Sequence, residues 1–237
     1  MWKAIWWKDW RETGWFVIAA AVLTWIPIMQ HCLNWQGWYD TSIARFFYWG
    51  RSVYGPEVIV LDAFVGEPPP LTAGYAFGAL AIGLGLWQSM GESWRQTSLF
   101  LLHRPVTKTG VCLAKWTYGI TWLTAILFIG LFIGLWATAR PGLRAAPVDM
   151  IALIAWWQPS FSWTLLYSGA FLTGIRPASW WGSRLFPLAA TVLPVLVGTA
   201  ALVERWWWCG LVTLIVIGLH LALLWLSVKQ CEARDYP

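Results

Sequence analysis

Charge is what this sequence is shortest of. Only 11% of its 237 residues are Asp, Glu, Lys or Arg, against about 25% in soluble domains. So few ionic groups cannot wet the surface of a water-soluble globule, and the expected solvent for most of the chain is lipid. Histidine is scarce as well, at 3 residues; His31, His103 and His220 are too scattered for a metal triad, and no H-E-x-x-H occurs. The 4 cysteines, Cys32, Cys112, Cys209 and Cys231, contain no C-x-x-C, which leaves neither a metal knuckle nor a disulfide framework. The P-loop signature G-x-x-x-x-G-K-[ST] is missing, so ATP is not cradled by that route. Gly83-Leu84-Gly85 lies inside an apolar run and reads as a close helix contact, not a nucleotide loop. A rhomboid-like serine site wants Gly two residues before its Ser, but Ser168-Gly169 follows Leu166-Tyr167. A glutamate-type intramembrane protease wants paired Glu, and Glu92 stands alone at the end of a run. Little material is left for an enzyme.

What the chain does have is apolar surface, 59% of its residues, and 23 tryptophans. Two readings of the tryptophans stand. The ring favours the bilayer–water boundary, where one edge is dry and the N–H stays wet; or the count reflects a GC-rich genome, since several Trp lie mid-run. A crossing needs about 20 mainly apolar residues, and six runs are candidates: 15–29, extended a little at either end, 71–90, 111–139, 150–174, 185–203 and 206–228. The expected fold is all-α: a polytopic membrane protein, one transmembrane domain over 1–237, with six transmembrane helices and cytoplasmic N- and C-termini. With the N-terminus inside, the outer segments hold Arg45, Arg51, Arg140, Arg144 and Arg205. The inner segments hold the rest of the 16 Lys and Arg, a bias of about two to one in the inside-positive sense. The net charge of +5 is therefore read by location and not as a nucleic-acid footprint. No cleavable signal peptide is expected, because no small-x-small site follows the first run. The first outer loop, 31–70, ends in the stiff Glu67-Pro68-Pro69-Pro70, and its aromatics suggest a short helix along the outer surface.

Residues 1–14 put Trp2, Ile5, Trp6 and Trp10 on one side of a helical wheel, with Asp9 inside that apolar arc. They read as an N-terminal interfacial helix or as a positive anchor that sets topology; both roles can hold together. The fourth run carries Gln158, Ser160, Ser162, Thr164 and Ser168 and is expected to face protein instead of lipid. Its polar groups read as interhelical hydrogen-bond glue or as a substrate path through Gln158, Ser162 and His220. Pro159, Pro187 and Pro194 are expected to kink their helices and release carbonyls.

The segment 91–110 breaks the apolar pattern. Gly91 is expected to end the second run, with Glu92 opening a short helix where a carboxylate suits the positive end of the macrodipole. Trp94, Ser98, Leu101 and Leu102 recur at three- and four-residue spacing as an apolar stripe, with Arg95 and Gln96 off it. Pro105 stops the segment, Thr107-Lys108-Thr109-Gly110 is a turn, and Val111 starts the next run.

A run, then Glu92, then Leu101-Leu102-His103-Arg104-Pro105-Val106-Thr107-Lys108, then Lys115 opening a long run, resembles the permease subunits of type-2 ABC exporters. There the segment often reads Leu-Leu-Ser-x-Pro-Val/Ile-Ser-Arg and is followed by a Lys; here His103 stands where Ser is common. Lys8-Asp9-Trp10-Arg11-Glu12 resembles that family's basic-acidic N-terminal helix. The resemblance implies a dimer with a second copy or a paralogue. It implies a separate ATPase subunit that binds ATP and Mg, with no cofactor in this chain. The cytoplasmic coupling segment 91–110 would dock on that subunit through Glu92, Arg95, His103, Arg104 and Lys108, and ATP closure would tilt spans one, two and five. With no charged residue mid-span, the cargo leans toward amphipathic, lipid-like or peptide molecules. The expected location is the inner membrane of a bacterium, with membrane lipid as a further partner and no nucleic acid. The rival functions are a non-transporting membrane scaffold or sensor partner, and an intramembrane enzyme built on His220.

Overall fold

The computed structural model describes residues 2–34, 71–95, 107–138, 157–158, 160–177, 180–200 and 206–233. Among the described residues the fold is all-helical, with no strand: α1 Trp2–Asn34, α2 Leu71–Arg95, α3 Lys108–Thr138, α4 Leu165–Ile175, α5 Trp181–Ala200 and α6 Trp206–Ala233. α4 is the axis. Its sequence, LLYSGAFLTGI, is apolar or small on every side, and all of its residues are buried, as a helix without a polar face must be. α2, α5 and α6 pack around it, α1 leans on α2 and α3, and α3 also meets α6.

Contacts fix the direction of each helix. Trp6 and Trp25 of α1 donate their indole N–H groups to Ala114 O and Ile126 O of α3, at 3.1 and 2.9 Å, so these two run the same way. α1 and α2 run oppositely, because Asp9 meets Gln88 while Phe16 meets Gly83. α2 and α4 run together: Gly78 faces Trp163 and Leu166, and Gly174 faces Ser89. α4 opposes α5 through Thr173–Leu188 and Gly169–Thr191, and α3 opposes α6 through Thr109–Glu232 and Trp116–His220. The six helices thus alternate in direction.

That alternation gathers every Lys and Arg among the described residues toward one end. Lys3, Lys8 and Arg11 open α1, Arg95 closes α2, and Lys108 and Lys115 open α3. Arg176 and Arg184 flank the α4–α5 junction, and Lys229 lies near the end of α6. Two stretches of the described residues, Lys108–Gly134 and Gly210–Ala233, are long and apolar enough to cross a membrane, and Gly182–Val197 is a shorter apolar helix. The outer face of α6 carries Leu214, Leu221 and Trp225, all largely exposed.

Several boundaries differ from expectation. The expected interfacial helix over 1–14 is not separate: residues 2–14 continue without a break into the first run, as α1. Ile5, Asp9, Thr13, Val17, Ala20 and Thr24 make one buried stripe along α1, and Trp10 packs on Trp122 with ring centroids 4.9 Å apart. The aromatics expected in the headgroup layer are divided, Trp6 and Trp10 turning to α3 and Trp2, Trp7 and Trp15 facing outward. Gly91 does not end α2. One helical glycine costs only about 1 kcal/mol, and nothing in Glu92-Ser93-Trp94-Arg95 stops a helix. Glu92 therefore sits in the last turns of α2, where the macrodipole argument made for it reverses sign. α3 starts at Lys108, three residues before the expected Val111, because Thr107 Oγ1 accepts the Gly110 N–H at 3.1 Å and caps it. The expected coupling helix falls mainly on 96–106, with His103 and Arg104, outside the described residues.

The prolines of α5 do release a carbonyl. Pro187 has no N–H for Ser183 O, and Arg176 Nη1 donates to that oxygen at 2.8 Å. Leu188 N–H, next along, is met by Thr173 Oγ1 at 3.2 Å.

Candidate functional site

Segment 91–110 is rooted in the end of α2 and the start of α3, and that root is fastened by buried polar groups. On α2, Phe77, Ala81, Leu84 and Gln88 follow one another at three- and four-residue steps as the buried face. Gln88 is the polar end of that stripe. Lys115 Nζ donates to Gln88 O at 3.2 Å, closing the root across 27 residues of sequence. Tyr167 OH, from α4, donates to Gln88 Oε1 at 2.8 Å and lies 3.2 Å from Lys115 O and 3.3 Å from Trp116 O. Gln88 Nε2 makes a long contact, 3.5 Å, to Asp9 Oδ2 of α1. Thr13 Oγ1 donates to Asp9 O at 2.6 Å, one turn further along. Four helices therefore meet at one glutamine, with Asp9, Gln88, Lys115 and Tyr167 all buried. The Tyr167 ring reaches this point because α3 offers Gly119 against it, where any side chain would overlap the ring.

A second network lies deeper in the bundle. Thr164 Oγ1 donates its only proton to Phe161 O at 2.6 Å, so at its 2.9 Å contact with His220 Nε2 it accepts. His220 is then the Nε2–H tautomer, and its bare Nδ1 accepts from Ser168 Oγ at 2.8 Å. Ser168 Oγ in turn accepts the Trp116 indole N–H at 3.1 Å. Each donor has an acceptor, from Trp116 of α3 through Ser168 and His220 to the Phe161 carbonyl. The Thr164 hydroxyl on that carbonyl accompanies a tightened turn, in which Thr164 N and Leu166 N bond three residues back instead of four. Ser168 and His220 have the spacing of a nucleophile and its base. Ser168, however, lies inside α4, where backbone N–H groups are taken up by the helix ladder, so the backbone beside it offers no oxyanion hole. The arrangement binds α3, α4 and α6 together. His220→Ala leaves the Ser168 hydroxyl without its acceptor and the Thr164 oxygen without its donor, and opens a cavity; it is expected to cost about 2–4 kcal/mol, read as a lowered thermal midpoint in detergent. A midpoint within a degree of wild type would mean the network is not formed.

The residues expected to line a substrate path divide between two sets of hydrogen bonds. Gln158 Nε2 donates to Ser162 Oγ at 3.3 Å, and Ser162 Oγ donates to Gln158 O at 3.1 Å. Gln158 Oε1 is buried with no partner among the described residues. His220 is bonded to Thr164 and Ser168 instead. Of the residues expected to touch an ATPase subunit, Glu92 and Arg95 lie in the last turn and a half of α2 and Lys108 is the first residue of α3; His103 and Arg104 lie outside the described residues. Near this end Thr109 Oγ1 donates to Glu232 Oε1 at 3.1 Å, Lys229 pairs with Glu232 at 3.2 Å, and Cys112 and Cys231 are both buried as thiols. No three His, Cys, Asp or Glu side chains converge on a metal position among the described residues.

Sequence reasoning passed over Gln88, Tyr167 and Trp116. It noted Asp9 in the apolar arc of the wheel, and Lys115 at the start of a run, without joining them. The available signal was the stripe on each helix: Asp9 and Gln88 both fall in register with buried apolar residues. No protein-family model, no curated protein and no solved structure matches this chain.

Proposed function

We propose that the chain is the membrane-embedded permease subunit of an ATP-driven exporter. In this reading all six helices, with α4 extended upstream by the helical residues 157–158 and 160–162, cross the inner membrane of a bacterium, and both ends lie in the cytoplasm. A separate ATPase subunit binds ATP and Mg and presses on segment 91–110, and a second permease copy or paralogue completes the pathway for an amphipathic, lipid-like or peptide cargo. The observation that carries the reading is the fastened root of 91–110. Lys115 and Gln88 close it, and Tyr167 and Asp9 tie it to the axial helix and to α1, so a push on the segment is delivered to four helices at once. The convergence of the described Lys and Arg on this same end supports placing it on the cytoplasmic side.

The test is reconstitution with a candidate ATPase subunit; an ATPase gene adjacent to this one would name it and favour the reading. The chain alone should hydrolyse no ATP. Glu92→Lys and Arg104→Glu are expected to abolish most transport while the thermal midpoint of the bundle stays at the wild-type value. Undiminished transport in both variants would remove the docking role. Binding of the ATPase with no cargo moved by wild type would make the chain a membrane scaffold.

A further inference from the structure

The outward side of α1 carries a feature that the bundle does not use. Trp7, Trp10, Arg11, Gly14, Trp15 and Ile18 enclose an open groove of about 490 Å³. Gly14 is the notch in its floor, with the Trp10 ring about one van der Waals contact away. Trp7 and Trp15 are its exposed walls. Arg11 closes one end, and among the described residues it has no hydrogen-bond or ion-pair partner. From Ile18 the same face runs on through Val22 and Ile26, both exposed. The stripe is thus cationic at the end where the other Lys and Arg gather and apolar beyond it.

We propose that this groove binds one anionic phospholipid of the inner leaflet, its phosphate on the Arg11 guanidinium and one acyl chain along Gly14, Ile18 and Val22. The charge decides the head group. Three indole rings alone would suit a quaternary ammonium, but a guanidinium in their midst repels a choline and forms paired, charge-assisted hydrogen bonds with phosphate. The length decides for a lipid over a free anion. Arg11 to Val22 is eleven residues, about 16 Å at about 1.5 Å per residue, close to half of a hydrocarbon core of about 30 Å. A phosphate alone would leave the rail and the notch unfilled. The site requires that the bundle sit in a bilayer; it does not require that the chain export anything.

Native mass spectrometry of the purified chain, exchanged into phosphatidylglycerol, phosphatidylcholine or inorganic phosphate, tests this. Wild type should retain one phosphatidylglycerol, little phosphatidylcholine and no phosphate. Arg11→Gln should weaken that retention at least about tenfold. Gly14→Leu fills the notch and should lower it with Arg11 intact. Arg11 is exposed and touches nothing in the core, so its variant keeps the wild-type melting point and a loss of lipid is not a loss of fold. Equal retention of the two lipids, a preference for phosphatidylcholine, phosphate binding as tight as the lipid, or an unchanged Arg11→Gln would each overturn the site. Insertion into nanodiscs of both lipids reports separately on membrane embedding, and transport assays report separately on the exporter reading.

Discussion

Gly85→Ala should lower the thermal midpoint of the purified protein by about 2–8 °C, a large effect for a single added methyl group. A Cβ built on Gly85 meets backbone, not a side-chain tip: Tyr167 O at 2.6 Å, Phe171 N at 3.0 Å, and the Ala170 Cβ at 2.9 Å. No rotamer change relieves that overlap, so α2 must move off α4. Overpacking of this kind costs about 1–3 kcal/mol, and the better helix propensity of Ala returns at most about 1 kcal/mol. Moving α2 also lifts Gln88 from Tyr167, one turn along, so the polar root should loosen with it. Gly218→Ala is the control. Nothing lies within 4 Å of a Cβ at that position of α6, and this change should leave the midpoint level or slightly raised. If Gly85→Ala melted like Gly218→Ala, the α2–α4 crossing described above would be wrong, and with it the position of the root.

The residues that made this contact legible were local. Gly83-Leu84-Gly85 in an apolar run reads as a close helix approach, and the two glycines serve different neighbours, Gly83 facing Phe16 of α1 and Gly85 facing the backbone of α4. The polar content of the fourth run likewise announced a buried helix, and α4 is buried throughout. Helix ends were less legible. Gly91 and the charges after it looked like a stop, but polar residue type alone does not end a helix; a proline or a competing cap does. Thr107 is such a cap, and it was read as part of a turn. The root was the least legible part of all. Gln88, Lys115, Tyr167 and Asp9 come from four helices, and the longest separation along the chain is that between Asp9 and Tyr167. No periodicity within one helix says which neighbour a buried polar residue will meet. The tryptophans show the same limit: Trp6, Trp25 and Trp116 spend their N–H groups on neighbouring helices, which neither boundary preference nor genome composition anticipates.

Neutralising one charge at the root should do more damage than neutralising both. Asp9 and Lys115 are 3% and 6% exposed and approach the same residue, Asp9 through the Gln88 amide and Lys115 through the Gln88 carbonyl. A buried charge left without its opposite costs about 3–5 kcal/mol, whereas removing the two together also removes the charge that needed compensation. Lys115→Met and Asp9→Asn should therefore each lower stability by about that amount. The double variant should lose less than either single variant, which puts it below their sum by at least about 3 kcal/mol, well beyond the roughly 0.5 kcal/mol scatter of independent sites. Thermal and chemical unfolding of the four proteins in one detergent gives the cycle. Additive losses would mean that the two charges do not sense one another across Gln88. Transport then separates fold from linkage. In the exporter reading, the double variant regains much of its stability but lacks the Lys115 staple on Gln88 O, so ATP hydrolysis by the bound partner should persist while export drops. A double variant that is stable and exports at the wild-type rate would show that the root holds the helices together without passing force between them.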